Sequence, residues 1–264
     1  MAINRLATFK KSDINTFYVL GDIHGKHMHE PSLKIALDMA KGDKSPICVL
    51  NGDLLEAEYI MFKQDSFKKW IKRGEDGLND YFIPNAVDEF EVVNNILDRL
   101  QKVFREVIYI VGNHCKRYDY FVHKYCSDAY AHNFNISANL ALTKRKIRLI
   151  DCNEWLDLNQ VSITHGMWCS SNYLDKHYLA CGGRTCIVSH VHRPNSKCFI
   201  TRGETRAAYS TGALCTLNPD YLKNQENAWV NGFIKLVFYN GNFWVNNYSI
   251  WNNKLIHNGK IYNG

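Results

Sequence analysis

The sequence predicts an α/β fold, on three grounds. Five short apolar runs, "TFYVL" (16–20), "PICVL" (46–50), "EVIYIV" (106–111), "QVSIT" (160–164) and "TCIVS" (185–189), are rich in Val, Ile or Tyr and too short for typical helices. Helical periodicity fills the gaps between the first three. The stretch 232–262 is strand-like throughout and carries Asn-Gly at 240–241 and 258–259, a hairpin signal between alternating runs.

Each element has its own reason. Unbroken apolarity over four to six residues, as in "TFYVL", belongs to strands buried on both faces. In "SLKIALDMAKG" (32–42), Leu33, Ala36, Leu37 and Ala40 share one helical face, and Gly42 is a natural stop. After the second run, residues 54–84 are the least regular part and are expected to form a cap beside the site. A long helix follows Pro84, with Asn85 as its expected cap. Its apolar stripe runs through Val87, Phe90, Val93, Leu97, Leu100 and Phe104. The order β-α-β-α-β argues for an α/β core. The C-terminal hairpins are expected to complete a second sheet. With no repeat, low-complexity tract or linker, residues 1–264 read as a single domain.

Composition narrows the setting. Of 264 residues, 46% are hydrophobic, enough for one substantial core. The formal net charge of +6 favours phosphate-bearing substrates by long-range attraction but does not by itself establish nucleic-acid binding. Basic residues gather in "FKKWIKR" (67–73), "TKRKIR" (143–148) and 193–206. The nine cysteines are odd in number and form no Cys-x-x-Cys pair, which argues against zinc ribbons and a disulfide framework. The N-terminus lacks the apolar core of a signal peptide, and no run reaches transmembrane length. The expectation is a cytoplasmic protein without membrane contact.

Chemistry-bearing residues stand at the end of every run. "GDIHG" supplies Asp22 and His24, "NGDLLE" supplies Asp53, and "GNH" supplies Asn113 and His114. "HG" supplies His165, and "SHVHRP" supplies His190 and His192. Open α/β sheets bind ligands at the C-terminal ends of their strands. Two carboxylates, four imidazoles and a carboxamide make a coherent donor set. If Asp53 is shared, each of two ions has four protein ligands. Such donors suit manganese, iron, zinc or nickel rather than magnesium alone. The residual positive charge would face an anionic substrate, as in two-metal phosphoester hydrolysis.

The ordered set Asp-x-His, Gly-Asp, Gly-Asn-His, His-Gly and His-x-His, from residue 21 to 192, resembles the calcineurin-like metallophosphoesterase superfamily. "GALCTLNPDYLKNQENAWVNGF" (212–233) is also similar to a segment of phage-encoded members. The resemblance implies a four-layer α/β/β/α sandwich. It implies a first divalent ion on Asp22, His24 and His192, and a second on Asn113, His165 and His190. Asp53 would bridge them, and manganese is the expected ion. It further implies in-line attack by a hydroxide held between the ions, with His114 protonating the leaving oxygen as general acid.

Two departures bear on substrate. Protein phosphatases of the superfamily read Gly-Asp-x-x-Asp-Arg-Gly at the second motif, whereas this chain reads "GDLLEAE". Glu56 takes the place of the second acid and could orient His114. The arginine is replaced by Ala57, which leaves Arg117 and Arg193 as candidates for phosphate contact. His192, an extra ligand, resembles the nuclease and phosphodiesterase branches. The expected activity is therefore phosphodiester hydrolysis on a nucleotide or nucleic acid. A phosphomonoesterase or protein phosphatase, and a silent metal-binding interaction protein, are the alternatives. Trp70, Tyr118, Tyr120 and Trp168 are aromatics that could stack on a base, with core or rim packing as the default. Cys115 and Cys169 lie near the motifs and are expected to be bystanders.

Overall fold

The computed structural model describes residues 3–5, 13–61, 81–126, 128–201, 203–222 and 226–264. In chain order the strands begin with β1 (Ile3–Arg5), β2 (Asn15–Gly21), β3 (Ile47–Asn51), β4 (Glu106–Ile110) and β5 (Arg148–Ile150). They continue with β6 (Trp155–Leu158), β7 (Val161–Ile163), β8 (Thr185–Val188), β9 (Asn195–Thr201) and β10 (Glu204–Ser210). Four more close the chain: β11 (Gly232–Tyr239), β12 (Asn242–Ser249), β13 (Lys254–His257) and β14 (Lys260–Asn263). The main helices are α1 (Glu30–Ala40), α2 (Ile83–Gln101), α3 (Asn113–Tyr125) and α4 (Tyr173–Ala180).

Two six-stranded sheets form the centre, ordered β12-β11-β2-β3-β4-β5 and β1-β6-β7-β8-β10-β9. Alternation along the strands explains their stacking, because successive side chains leave opposite faces. Phe17, Val19, Ile47, Val49, Ile108 and Ile110 point from the first sheet into a core shared with Leu156, Val161, Ile163 and Ile187 of the second. Their neighbours Tyr18, Leu20, Cys48, Leu50, Val107 and Tyr109 point the other way, under α1, α2 and α3. The outer face of the second sheet buries Cys186, Val188 and Ala208 beneath Tyr173, Leu174 and Tyr178 of α4. The layers are therefore helix, sheet, sheet and helix, the α/β/β/α sandwich. All five apolar runs are strands, buried on both faces as their continuous apolarity requires.

Four details differ from expectation. The hairpin at Asn240-Gly241 exists, but β11 pairs antiparallel with β2, so this hairpin extends the first sheet. Ile234, Leu236 and Phe238 on β11 reach the inter-sheet core only from that position. β13 and β14, around Asn258-Gly259, form a separate two-stranded ribbon. Asn85 is not the cap of α2: the helix starts at Ile83, and the Asn85 amide donates to the Tyr81 carbonyl (2.8 Å). The expected stripe is buried at Phe90, Val93, Leu97, Leu100 and Phe104, with Ala86 and Glu89 beside it, but its first member, Val87, is exposed. Of the expected cap, 54–61 continues as a loop and a short helix (Glu58–Met61), while 62–80, with Trp70 and all of "FKKWIKR", lies outside the described residues.

Candidate metal centre

The strands deliver their C-terminal loops to one edge. β2, β3 and β4 run parallel in one sheet, and β7 and β8 run parallel in the other. Asn51 ties the two edges together, its amide donating to the Thr164 carbonyl (3.0 Å) and the Ser189 hydroxyl (2.9 Å). The Asp22–His24 loop is joined to the Asp53 loop by His24 N–H on the Asp53 carbonyl (2.8 Å). Asp53 itself lies at the start of α3, where the His114 N–H donates to its Oδ1 (2.8 Å). A helix N-terminus suits a carboxylate there.

All seven candidate ligands converge. His24 Nε2 and His192 Nε2 are 3.2 Å apart, and Asp22 Oδ1 lies 3.6 Å from His192 Nε2. Beside them, His165 Nε2 lies 3.0 Å from Asn113 Oδ1 and 3.3 Å from Asp53 Oδ2. His190 shares a donor cluster with Asp53 and His165. Asp53 also clusters with His24 and His114, so it stands between the two groups. Asp22, His24, Asp53, His165 and His192 are almost fully buried. Four of the seven, Asp22, His24, His190 and His192, adopt positive φ between 53° and 70°. Left-handed backbone costs non-glycine residues energy, and its accumulation here marks a strained functional edge.

The donor set fits divalent cations. Asp22 Oδ1 is buried without a hydrogen-bond partner among the described residues. A buried, unpaired carboxylate oxygen is costly unless a cation faces it. Two imidazole nitrogens aimed at each other likewise suit an ion between them. The other ring nitrogens are held from behind, as metal-binding histidines usually are. His24 Nδ1 bonds the Glu56 carboxylate, and His165 Nδ1 faces the Asn51 carbonyl at 3.2 Å.

The electrostatics reflect this crowding. Burial would raise the Asp22 and Asp53 carboxyls, but the neighbouring imidazoles, His192 and His165 foremost, hold both below their ordinary values. Burial works against charge on the histidines, yet the bond to Glu56 leaves His24 raised to about 9. Against the same burial, Asp53 lifts His165 to about 8 and Asp22 raises His192. At His114 and His190 burial prevails, and both are lowered.

Glu56 sits differently from the expectation. Its carboxylate bonds His24, while its backbone carbonyl accepts from His114 Nδ1 (2.9 Å). The carboxylate stays 3.6 Å from that nitrogen, so the main chain orients the ring. Arg117 lines a groove of about 570 Å³ with Asn113, Lys116, Tyr120, Met167 and His190. Its Nη1 is buried and has no hydrogen-bond partner among the described residues. Arg193 does not line this groove. Tyr120 is exposed at the groove, whereas Tyr118 belongs to the core under α2 and α3. Trp168 packs on His177, and Cys115 is taken up by the Tyr109 hydroxyl and Leu55 N–H.

Three contributors were not evident in the sequence. Asn51 ends β3 and reads as an ordinary strand residue. Glu89 is buried in α2, where its carboxylate accepts from Glu56 N–H (2.7 Å) and Ala57 N–H (3.2 Å). It clamps the "GDLLEAE" loop, in which Ala57 has φ 52°. A charged residue at helical spacing with Ala86, Phe90 and Val93 was the available signal. Cys215 is the third: its sulfur clusters with His24 and His192.

Neither a protein-family model nor a curated protein matches the chain. Solved structures are similar at low identity. Vps29 complexed with zinc, from Entamoeba histolytica, is 12% identical over 93% of this chain and 95% of that one, with a TM-score of 0.45. PhoD is 10% identical over 92% and 67%, with a TM-score of 0.49. The phosphopantetheinyl hydrolase PptH from Mycobacterium tuberculosis is 13% identical over 81% and 94%, with a TM-score of 0.32. Among the described residues, no helix is long and apolar enough to cross a membrane.

Proposed function

We propose that the chain is a metal-dependent phosphoesterase of the calcineurin-like type, acting on phosphodiesters. The observation that carries this reading is the convergence of the seven candidate ligands, with the buried Asp22 Oδ1 lacking a hydrogen-bond partner among the described residues. Asp22, His24, His192 and Asp53 would hold one divalent ion, and Asp53, Asn113, His165 and His190 the other. When bound, such ions supply an activated water and positive charge for the phosphoryl group.

The chain's own residues do the rest. His114 keeps one proton on Nδ1, fixed by the Glu56 carbonyl, which leaves Nε2 to face a leaving oxygen. Burial lowers its pKa, so the imidazolium that can protonate that oxygen is a stronger acid but a smaller fraction of the chain at neutral pH. Arg117 and Lys116 line the groove and would grip phosphate oxygens. Ala57 stands where an arginine would close on a terminal phosphate. The groove is lined by both Asn113 and His190, where a second ester group would have to lie. The exposed ring of Tyr120 offers a stacking surface, so nucleotide diesters are the first substrates to try.

The test compares bis-p-nitrophenyl phosphate with p-nitrophenyl phosphate in the presence of Mn²⁺, for the native chain and His114→Asn. The native chain should prefer the diester. His114→Asn should lose roughly 10²–10⁴-fold in turnover with metal content unchanged. A preference for the monoester would move the assignment to a phosphomonoesterase. Absence of turnover on a full panel, with both ions bound, would make the chain a metal-binding interaction protein instead.

A further inference from the structure

We propose that the Cys215 thiolate is a ligand at the first metal position, making that position selective for thiophilic ions such as zinc while the second stays an oxygen-and-nitrogen site. This inference rests on the two-ion reading above. It concerns a residue outside the seven-ligand set.

Cys215 is held against the first motif by the backbone. Leu214 N–H donates to the Gly21 carbonyl (3.1 Å), His29 N–H to the Leu214 carbonyl (2.8 Å) and Thr216 N–H to the His27 carbonyl (2.7 Å). Met28 and Cys215 form an antiparallel bridge. The Asn231 amide fixes the other side by donating to the Cys215 carbonyl (2.7 Å). The segment 213–216 is thus stitched along residues 21–29, and its one sulfur is 2% exposed beside the metal-facing imidazoles.

The distances suit one ion. The sulfur and one ring nitrogen each of His24 and His192 lie within 4.8 Å of one another. Three atoms so placed share a point no more than roughly 2.8 Å from each, against zinc bonds of about 2.0–2.1 Å to nitrogen and 2.3 Å to sulfur. Zinc bonds of that length separate two adjacent nitrogen ligands by roughly 2.9–3.3 Å, and His24 Nε2 to His192 Nε2 is 3.2 Å. Asp22 Oδ1 lies on the same side, 3.6 Å from His192 Nε2. The thiol gives up its proton to solvent as the sulfur binds. Thiolate favours zinc over manganese, whereas Asp53, Asn113, His165 and His190 contain no sulfur and discriminate less. The two positions therefore differ in the ion they prefer.

The experiment loads the full chain with Co²⁺ and measures stoichiometry by elemental analysis and the near-ultraviolet thiolate-to-cobalt charge-transfer band. The native chain should bind two cobalt ions and show the band. Cys215→Ser should still bind two at high cobalt, lose the band, and bind zinc at least roughly tenfold more weakly at one position, with manganese affinity little changed. Zinc X-ray absorption on the native chain, which needs no variant, should show one sulfur at about 2.3 Å. Two bound cobalt ions without the band, or a band that survives in Cys215→Ser, would overturn the Cys215 assignment and leave the two-ion reading standing. Failure of the native chain to bind cobalt would overturn both.

Discussion

Substituting Gly52 by alanine strikes the site through its backbone. Gly52 has φ 104°, and an added Cβ would stand 1.6 Å from His165 Nδ1 and 2.3 Å from its Cε1. Two costs add. Holding alanine at that φ costs about 1–3 kcal/mol, and crowding a packed interior costs about 1–3 kcal/mol more. The total, roughly 2–6 kcal/mol, is a large part of the ~5–15 kcal/mol that stabilises an ordinary domain. At ~2 °C per kcal/mol it lowers the unfolding temperature by about 4–12 °C. His165 must also leave Asn113 Oδ1 and Asp53 Oδ2, so one divalent ion per chain is lost. Gly241→Ala is the control, because Gly241 has φ 78° and, among the described residues, nothing within 4 Å of the added Cβ. It carries the backbone cost alone, ~1–3 kcal/mol. Thermal unfolding and elemental analysis of both variants read the result. Equal unfolding temperatures, with metal content undiminished in Gly52→Ala, would refute the reasoning.

Three further outcomes follow from the same geometry. Buried His177 donates from Nδ1 to the Tyr173 carbonyl (2.7 Å) and accepts the Met167 N–H at Nε2 (3.0 Å), and burial pushes its pKa down to about 4. Its folded value lies below the unfolded ~6.5, so its contribution is complete above pH 6.5 and is lost as pH falls through about 4. It amounts to ~3 kcal/mol, and urea midpoints should fall more steeply with acid in the native chain than in His177→Gln; parallel slopes would exclude it. Glu89→Leu orphans the Glu56 and Ala57 N–H groups at about 1–3 kcal/mol each and should impair turnover, while Glu89→Gln keeps a carbonyl acceptor and stays near native. Equal unfolding temperatures and rates for the two Glu89 variants would remove the clamp from the account. Protons on His24 and His165, raised to about 9 and about 8, compete with metal. Metal affinity should therefore rise with pH through that range, with proton release on binding at pH 7 in calorimetry across two buffers; binding without release would contradict the sign.

Much of the site was legible because each ligand follows a strand whose apolar run is visible locally. Five runs such as "TFYVL" and "TCIVS" announce strands by composition, and the polar residues behind them stand out. What lay beyond reach depends on long-range pairing. No local pattern says that β11 joins β2 rather than the second sheet, or that Leu214 and Cys215 lie along residues 21–29. Helix α3 was missed for a different reason. In "NHCKRYDYFVHKY" the buried Cys115, Tyr118, Phe121 and Val122 keep helical spacing, but polar residues outnumber them and the motif drew attention to its first turn. Glu89 escaped because a carboxylate on a helix ordinarily faces water. Only the folded loop shows the two N–H groups that hold it inside.

Counting the ions and locating them tests the central claim most directly. Elemental analysis of the chain after Mn²⁺ or Zn²⁺ loading, followed by anomalous diffraction, should find two ions about 3.5–4 Å apart with the Asp53 carboxylate between them. Asp53→Asn should weaken both ions together. A single ion, or two that are retained unchanged in Asp53→Asn, would contradict the account.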